Sequence, residues 1–308
     1  MSKLVSVIIP TYARTTGLIR SIESVLNQDY KNIEIIVVDD NNPETQAREK
    51  VTEIMLKYSN IQNVIYLQHE ANKNGSAARN TGFAFSSGKY IIFLDDDDYF
   101  EKSKISNQVN ALDNSDSKIG GCYTDFSRKY PNGRVELSQE NRSGNFLVDV
   151  LARNLLINAG SNVMYKREVL KEINGFDESF RRSQDLEILV RFFDKGYELL
   201  HVATRDLVIM MDSRDSSLTE VNNLKKLFES LTYFEDKFSD VENKLSIQSK
   251  QKIHSLRQLE KLKVCLLNKN VIKASRSVLG ISPIVVIKYL FYLYNRKKMN
   301  VVKGFEFD

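Results

Sequence analysis

The chain has 308 residues, which is enough for one large domain or for one domain with an appendage. Hydrophobic residues make up 42% of it and charged residues 27%, a composition that excludes a disordered chain, a collagen-like fibre and a disulfide scaffold. The net charge of +4 argues against a dedicated nucleic-acid binder. Cys122 and Cys265 lie far apart and form no metal-ligand spacing, so we expect a reduced, cytoplasmic chain.

Strand-like and helix-like segments alternate over the first two hundred residues. In chain order the predicted elements are a strand at 4–10, a helix at 18–26, a strand at 33–38, a helix at 47–58, a strand at 64–68, a helix at 74–86, a strand at 90–94, strands at 118–126 and 159–166, and a helix at 185–195. Because the early strands are apolar on both faces, we expect an α/β fold with a mostly parallel sheet and helices on both faces.

The pattern changes near residue 215, after which only helical periodicity remains. It is carried by Leu218, Val221, Leu224, Leu227, Phe228 and Leu231. The charge divides at the same place, since residues 1–215 hold 27 basic and 31 acidic groups whereas residues 216–308 hold 17 and 9. We therefore expect an acidic α/β domain over 1–215 and a basic, helical C-terminal region over 216–308.

Four consecutive carboxylates, at residues 95–98, follow the apolar strand at 90–94. Open α/β sheets place their ligand crevice at the carboxyl ends of the strands. Adjacent carboxylates repel one another, and a divalent cation relieves that repulsion. Mg²⁺ typically takes one or two protein carboxylates and completes its shell with substrate phosphates. Four acids also suit a surface turn, but their position directly after a buried strand favours a metal site.

Asp39 and Asp40 end the second strand in the same way, and they suit either hydrogen bonds to a base or ribose, or the cap of a helix after Pro43. The segment at 72–82, NKNGSAARNTG, then leads into a helix with small residues. A helix N-terminus favours phosphate, and Arg79 adds a forked donor, although an ordinary loop with a surface arginine is an equal alternative. Two acidic strand ends in one sheet favour a shared nucleotide site.

Two further motifs are GFDE at residues 175–178 and QDLE at residues 184–187. Asp185 lies where the helical pattern begins, and spacing alone favours a helix cap or a first-turn acid there. The alternative is a general base, which must reach the proton that it removes.

The order of these motifs resembles that of the family 2 glycosyltransferases: LVSVIIPTY, VVDDNN, NGSAARNTG, YIIFLDDDD, GFDE and QDLE. The resemblance covers about residues 3–215 and implies an A-type nucleotide-sugar fold, with residues 1–215 as the catalytic domain. It implies a metal-dependent, inverting transfer of one sugar from a UDP-sugar to a hydroxyl of a glycan acceptor in bacterial surface polysaccharide synthesis. It also implies Mg²⁺ or Mn²⁺ as cofactor, and many related enzymes use a lipid-linked acceptor.

Carrying the family pattern over by matching positions assigns roles to single residues. The nucleotide-binding set comprises Pro10, Thr11, Tyr12, Arg14, Asp39, Asp40, Gly75, Arg79, Asp95 and Asp96. Within this set, Asp40 matches the carboxylate that contacts the uracil base. Asp95 and Asp97 are the outer acids of a D-x-D motif and match the metal-binding positions. Asp185 matches the catalytic base.

Two departures from the family pattern matter. Gln184 stands before Asp185 where many relatives have Glu, which bears on the assignment of Asp185 as the base. No Q-x-x-R-W motif follows Asp185; processive polymer synthases of the family carry that motif, so we expect non-processive transfer. A catalytically idle nucleotide-sugar-binding partner in a glycan-assembly complex is an alternative function. A nucleotidyltransferase is a third, but its glycine-rich loop after the first strand is absent. We expect His69, His201 and His254 to be structural.

The basic C-terminal region contains a predicted helix that starts at Ser282 and Pro283 and ends in a basic run at 296–298. Residues 243–308 hold 14 basic and 3 acidic groups. Aromatic and basic residues beside an apolar surface suit a helix that lies on the anionic inner face of the cell membrane. Packing on the domain, or on a second subunit in a homo-oligomer, is the alternative. No stretch of about 20 unbroken apolar residues predicts a spanning helix, and we expect no nucleic-acid partner.

Overall fold

The computed structural model describes residues 2–211, 221–267 and 280–307, so the predicted boundary near residue 215 and Leu218 lie outside the described residues. The described chain forms two compact units. The first comprises residues 2–129, 141–145 and 157–210, and the second comprises the described residues of 130–140, 146–156 and 211–307.

The elements follow the alternation that the apolar runs predict. In chain order they are β1 (Val5–Thr11), α1 (Leu18–Leu26), β2 (Ile33–Asp39), α2 (Gln46–Leu56), β3 (Val64–Gln68), α3 (Gly75–Phe85), β4 (Tyr90–Phe93), β5 (Tyr99–Phe100), α4 (Lys104–Asp113), β6 (Ile119–Lys129), β7 (Val135–Ser138), α5 (Leu147–Leu151), α6 (Ala159–Asn162), β8 (Met164–Lys166), α7 (Arg167–Glu172), α8 (Gln184–Asp194), β9 (Glu198–Met210), α9 (Val221–Lys237), α10 (Ser239–Asn243), α11 (Ile247–Leu267), α12 (Pro283–Met299) and β10 (Val301–Val302).

The first unit is built on a mixed, mostly parallel sheet, which confirms the predicted α/β fold. Strand β1 pairs in parallel with β2 and β4, and β2 pairs in parallel with β3. Strand β8 runs antiparallel between β4 and β6, and β9 lies parallel to β6. Strands β1, β2 and β4 are almost wholly buried, as expected of strands that helices cover on both faces.

The parallel pairing brings the polar ends of β1, β2 and β4 to one edge of the sheet. Thr11 at the end of β1 is paired with Asp39 at the end of β2, and the N–H of Leu94 beyond β4 donates to the carbonyl of Ile8. The loops that follow these strands carry the conspicuous motifs of the sequence. They therefore meet at the place where open α/β sheets bind ligands.

The prediction of a strand at 159–166 is only partly right. Residues 159–162 form the helical turn α6, and only Met164–Lys166 is a strand. The amide of Asn162 donates to the carbonyls of Thr124 and Ile157 at 2.7 and 2.8 Å, which holds the turn in place. The sequence does not predict the long strand β9, because partly exposed residues interrupt the apolar pattern in the first half of the strand.

The second unit contains the helices of the basic C-terminal region and a short parallel pair of strands, β7 and β10. Arg257 of α11 donates to the carbonyl of Leu151 in α5 at 3.0 Å, and Glu260 of α11 lies 3.3 Å from Arg153. None of the helices in the described part of the chain is long and apolar enough to cross a membrane.

Candidate active site

The four carboxylates after β4 alternate between the interior and the surface. Asp96 and Asp98 are buried, with 6% and 3% of their surface exposed. The side chains of Asp95 and Asp97 are 38% and 28% exposed. This alternation arises in a turn, in which the N–H of Asp98 donates to the carbonyl of Asp95 at 3.1 Å. It leaves the outer acids of the predicted D-x-D motif, Asp95 and Asp97, open to a ligand.

The two inner acids have protein partners. The hydroxyl of Thr11 donates to Asp96 at 2.6 Å, and the hydroxyl of Ser161 donates to Asp98 at 2.7 Å. Burial raises the pKa of Asp96 to about 6, against the lowering effect of the Thr11 hydrogen bond. Burial, followed by the charge of Asp95, also raises the pKa of Asp98. These two carboxyls therefore fix the loop, and their burial makes their charged forms costly.

The start of α1 lies against the acidic loop. A Cβ atom on Gly17 would come within 2.4 Å of the carbonyl oxygen of Asp96 and 2.8 Å of the Cα of Asp97, so only glycine allows this approach. Arg20 donates to the carbonyl of Asp97 at 2.6 Å, and Ser21 donates to that of Asp98 at 2.6 Å. The first turns of α1 thus hold the backbone of the loop.

The loop after β1 supplies a cation to this acidic segment. Arg14 forms an ion pair with Asp97, and its own side chain is 38% exposed. Tyr12, two residues earlier, has 53% of its surface exposed, whereas Thr11 is buried against Asp96. Of the predicted loop residues, Thr11 therefore supports the site from inside, and Tyr12 and Arg14 face outward.

Asp39 is wholly buried and its carboxylate is occupied by protein groups. The backbone and side-chain nitrogens of Asn41 donate to one oxygen at 2.9 and 2.7 Å. The hydroxyl of Tyr66 donates to the other oxygen at 2.7 Å, and Arg48 lies 3.3 Å from it. Asp39 thereby shapes the turn after β2.

Asp40 holds the segment that precedes α3. Its carboxylate accepts hydrogen bonds from the backbone N–H groups of Lys73 and Asn74 at 2.8 and 2.9 Å, and from the side chain of Asn72 at 2.8 Å. The ring of His69 lies 2.7 Å from the same carboxylate and 2.9 Å from the hydroxyl of Thr81. His69 is therefore buried between Asp40 and Thr81.

Asn74 caps α3. Its backbone has a φ of 97°, and its side-chain oxygen accepts from the N–H groups of Ser76 and Ala77. Its amide nitrogen donates to the carbonyl of Glu178 in the GFDE motif at 2.9 Å. One side chain thus joins the N-terminus of α3 to a motif about 100 residues later in the chain.

Arg79 of α3 is the central cation of the site, with only 10% of its side chain exposed. It lies 2.5 Å from Asp95 and donates to the side-chain oxygen of Gln184 at 3.0 Å. It also donates to the carbonyl of Gly75 at 3.1 Å. A Cβ atom on Gly75 would lie 3.0 Å from Arg79 and 3.1 Å from Gln184, which leaves no room for a larger residue without a shift.

A cavity of about 210 Å³ opens beside this arginine. It brings the predicted catalytic base to the same space as two predicted donor-binding residues. Its lining consists of Arg79, Asp95, Asn158, Gly160, Ser183, Gln184 and Asp185. Asp185 belongs to the first turn of α8, and Ser183 before it has a left-handed backbone with φ of 58°.

The GFDE motif is tied to α3 by Asn80. Its side chain accepts from the N–H of Phe176 at 2.8 Å and donates to the carbonyl of Phe176 and the carboxylate of Glu178, both at 2.9 Å. The buried Glu187 pairs with Arg191 at 2.5 Å, and this arginine donates to the carbonyl of Gly175 at 2.6 Å. These contacts fix the start of α8, and with it Asp185.

Sequence reasoning assigns no role to several of these residues. Asn80 lies inside a quoted motif, but the spacing gives no sign of what it holds. Gln184 stands out only as a departure from the family pattern. Ser161 follows no motif at all, yet its hydroxyl contacts Asp98 and accepts from the N–H of Asp95 at 3.1 Å.

The outer acids fit a divalent cation of the class that takes two protein carboxylates. Asp95 and Asp97 offer half-exposed oxygen ligands, and each is already balanced by a guanidinium cation, that of Arg79 or Arg14. Within residues 2–211, 221–267 and 280–307, no three His, Cys, Asp or Glu side chains form a metal-binding group.

Comparison with known proteins identifies a family and several relatives to which the chain is similar. The sequence profile of glycosyl transferase family 2 matches residues 6–174, more than half of the chain. The amylovoran biosynthesis glycosyltransferase AmsB of Erwinia amylovora is 28% identical over 64% of this chain and 66% of its own length. The Escherichia coli UDP-Glc:alpha-D-GlcNAc-diphosphoundecaprenol beta-1,3-glucosyltransferase WfaP is 36% identical over 40% of this chain and 46% of its own length. The chain thus spans less than two thirds of the length of these curated relatives.

The fold is shared with a solved structure. The mannosyltransferase PcManGT of Pyrobaculum calidifontis, in complex with GDP-Man and Mn²⁺, is similar with a TM-score of 0.58 and 14% identity. The similarity covers 97% of this chain and 81% of that one. The matched profile, the sheet and the motif order agree, and the chain is a member of glycosyl transferase family 2, with a GT-A-like fold.

Proposed function

We propose that this chain is a metal-dependent, inverting glycosyltransferase that moves one sugar from a UDP-sugar to a hydroxyl of a glycan acceptor. One observation carries the proposal: Arg79, Asp95 and Asp185 line the same cavity of about 210 Å³ at the carboxyl ends of the sheet strands. A cation for the diphosphate, a carboxylate for a metal and a carboxylate for a proton are the groups that such a transfer requires.

The loops after β1 and β2 would bind the nucleotide. Tyr12 offers an exposed ring on which a base can stack, and it directly follows Pro10 and Thr11, the last residues of β1. Asp39 and Asp40 hold the backbone around this site. A base N–H can reach Asp40 only if it replaces one of the present donors, of which the side chain of Asn72 is the one that can turn away.

The diphosphate would lie between Arg14 and Arg79, which flank the acidic loop. Each guanidinium now balances a carboxylate, and each can donate two parallel hydrogen bonds to phosphate oxygens. Asp95 and Asp97 would hold Mg²⁺ or Mn²⁺, which supplies positive charge next to the leaving diphosphate. When a metal ion balances the charges of Asp95 and Asp97, Arg79 and Arg14 would be free to bind the donor's phosphates.

Asp185 would act as the general base. It lines the same cavity as Asp95 and lies in the first turn of α8, whose buried Glu187 pairs with Arg191. An acceptor hydroxyl that donates its proton to Asp185 would attack the anomeric carbon on the face opposite the diphosphate. A single displacement of this kind inverts the anomeric configuration. The proton passes from the acceptor oxygen to the carboxylate, and the nucleoside diphosphate leaves with the bonding electrons.

The relatives support the finer points of the proposal. The name of WfaP specifies UDP-Glc and a diphosphoundecaprenol acceptor, and the name of AmsB specifies the biosynthesis of the polysaccharide amylovoran. We propose a hexosyl UDP-sugar and a lipid-linked glycan acceptor, with one sugar per encounter. Cys122 and Cys265 are both free and buried, as is usual in the reducing cytoplasm where we place the reaction.

A donor panel tests this function. UDP- and GDP-sugars are incubated with the full chain, with and without Mg²⁺ or Mn²⁺, and release of the nucleoside diphosphate is measured. Metal-dependent release from a UDP-sugar is expected. A different result would favour the catalytically idle partner: a UDP-sugar binds in a thermal-shift assay, but no nucleoside diphosphate is released from it with any acceptor extract. Release only from a GDP-sugar would contradict the UDP assignment.

A further inference from the structure

Helix α12 exposes a row of large apolar side chains. Ile284, Ile287, Phe291 and Tyr294 recur at intervals of three, four and three residues, so they lie along one side of the helix. Their exposed fractions are 67%, 67%, 64% and 63%. Contiguous exposed apolar side chains of this size mark an interaction surface. We call these four residues the α12 face.

The opposite side of the helix is packed within the second unit. Tyr289 is only 7% exposed, and its ring stacks on that of Tyr292 with centroids 5.6 Å apart. The ring of Phe305 lies 5.2 Å from Tyr289, and Tyr292 donates to the carbonyl of Lys303 at 2.6 Å. The helix therefore already has a buried side, and the α12 face is a second apolar side that this packing does not use.

The charges around the α12 face have one sign. Lys288 borders it, Lys297 and Lys298 follow at the end of the helix, and residues 283–299 contain no acidic residue. A cavity of about 370 Å³ adjoins the face, and both Phe291 of the face and the neighbouring Lys288 line it. Arg296 and Lys303 also line this cavity, against one acid, Glu306. Cations thus surround an apolar face and a polar recess.

We propose that the α12 face binds an anionic lipid bilayer, with the helix in the plane of the interface. Apolar side chains would enter the boundary of the acyl chains, while Lys288, Arg296 and Lys303 contact lipid phosphates from the recess. The helix has 17 residues, a length of about 26 Å, so it lies on the bilayer and does not span it. Pairing with a second copy of the same face is less favourable, because it brings two sets of lysines together.

Vesicle co-sedimentation of the full chain tests this proposal. Wild type is mixed with vesicles of phosphatidylcholine alone, or of phosphatidylcholine with about a third phosphatidylglycerol. We expect binding to the anionic vesicles, weakened by added NaCl because the cations contribute. The combined variant Ile287→Glu and Phe291→Glu should lower the partition coefficient about tenfold or more. Leu56→Glu with Phe85→Glu is the matched control, since these residues of the first unit are 67% and 62% exposed.

A second variant separates charge from apolar contact and does not touch the apolar side chains. Lys297→Gln with Lys298→Gln should reduce binding to anionic vesicles several-fold and leave binding to phosphatidylcholine unchanged. Equal binding of wild type and both variants, or no preference for anionic vesicles, would overturn the proposal. A second combination of results would also overturn it: wild type does not bind vesicles, and light scattering shows a dimer that Phe291→Glu dissociates. The face would then bind a second copy of the chain.

Discussion

Arg79 lies 2.5 Å from Asp95 and at the same time donates to Gln184, the neighbour of Asp185 in the chain. A single guanidinium therefore connects the acidic end of β4 with the start of α8. In the proposed reaction these are the leaving-group side and the acceptor side of the sugar. The fork geometry of arginine makes this connection possible, because separate nitrogens serve the two partners.

Replacing Arg79 by lysine should weaken donor binding. A lysine keeps the charge but has no fork, so it cannot contact Asp95 and Gln184 together. We expect the affinity for the UDP-sugar to fall about tenfold or more, measured by calorimetry in the presence of Mn²⁺. Arg205→Lys, at a side chain that is 41% exposed, is the control and should bind as wild type does. Unchanged affinity in Arg79→Lys would contradict the proposed contact of Arg79 with the diphosphate.

Asn80 should matter for both stability and turnover. Asn80→Ala removes hydrogen bonds to Phe176 and Glu178, and leaves the N–H of Phe176 without its acceptor. We expect a loss of about 1–3 kcal/mol in the free energy of unfolding, together with a lower kcat at a nearly unchanged donor affinity. Urea unfolding and initial rates measure the two effects. The exposed Asn110→Ala serves as control, and a variant as stable and as active as this control would contradict the positioning role.

Gly17→Ala should disturb the acidic loop at residues 95–98, which we propose binds the metal. The added methyl group would lie 2.4 Å from the carbonyl oxygen of Asp96, so the loop or α1 has to move. We expect about a tenfold loss in Mn²⁺-dependent binding of UDP, with a smaller effect on binding without metal. Ile19→Ala, at a residue of the same helix that is 38% exposed, should leave both unchanged. Equal losses with and without metal would indicate a general defect.

Lys104 should make stability depend on pH. It is wholly buried, its ammonium donates to Thr124 and Asn162, and burial lowers its pKa from 10.5 to about 7. Above pH 7 the unfolded chain then holds a proton that the folded chain has lost, so the free energy of unfolding rises with pH. The rise between pH 7 and 8.5 should reach about 1–2 kcal/mol.

Urea unfolding at pH 6.5, 7.5 and 8.5 checks this prediction. Lys104→Met has no ammonium to titrate, so its profile should lack the rise that wild type shows. The exposed Lys102→Met should follow wild type. Parallel profiles for wild type and Lys104→Met would show that Lys104 is not responsible for the pH dependence.

The sequence predicts the part of this architecture that local patterns encode. Apolar runs of strand length mark β1 to β4, and the acidic ends of β2 and β4 predict which edge of the sheet carries the site. Because parallel strands align their carboxyl ends, Thr11 and Asp96 come together although 85 residues separate them. The start of α8 is likewise visible as a change to helical periodicity at Asp185.

The long-range hydrogen bonds between α3 and the segments around α8 could not be predicted from local patterns. Asn80 reaches Phe176 across 96 residues, and Arg79 reaches Gln184 across 105. No local period reports such pairs, because they depend on how α3 and α8 pack. The alternation among residues 95–98 is a further case, since four identical side chains divide into two buried and two exposed ones only when the loop is folded.

The transfer rate of Asp185→Asn tests the central claim most directly. Asparagine keeps the size of the side chain but cannot accept the acceptor's proton. With the donor found in the panel and its acceptor, kcat should fall at least about a hundredfold while the UDP-sugar affinity stays within about threefold. Asp194→Asn, at the other end of α8, should retain activity. Retention of most of the transfer rate by Asp185→Asn would contradict the assignment of Asp185 as the base.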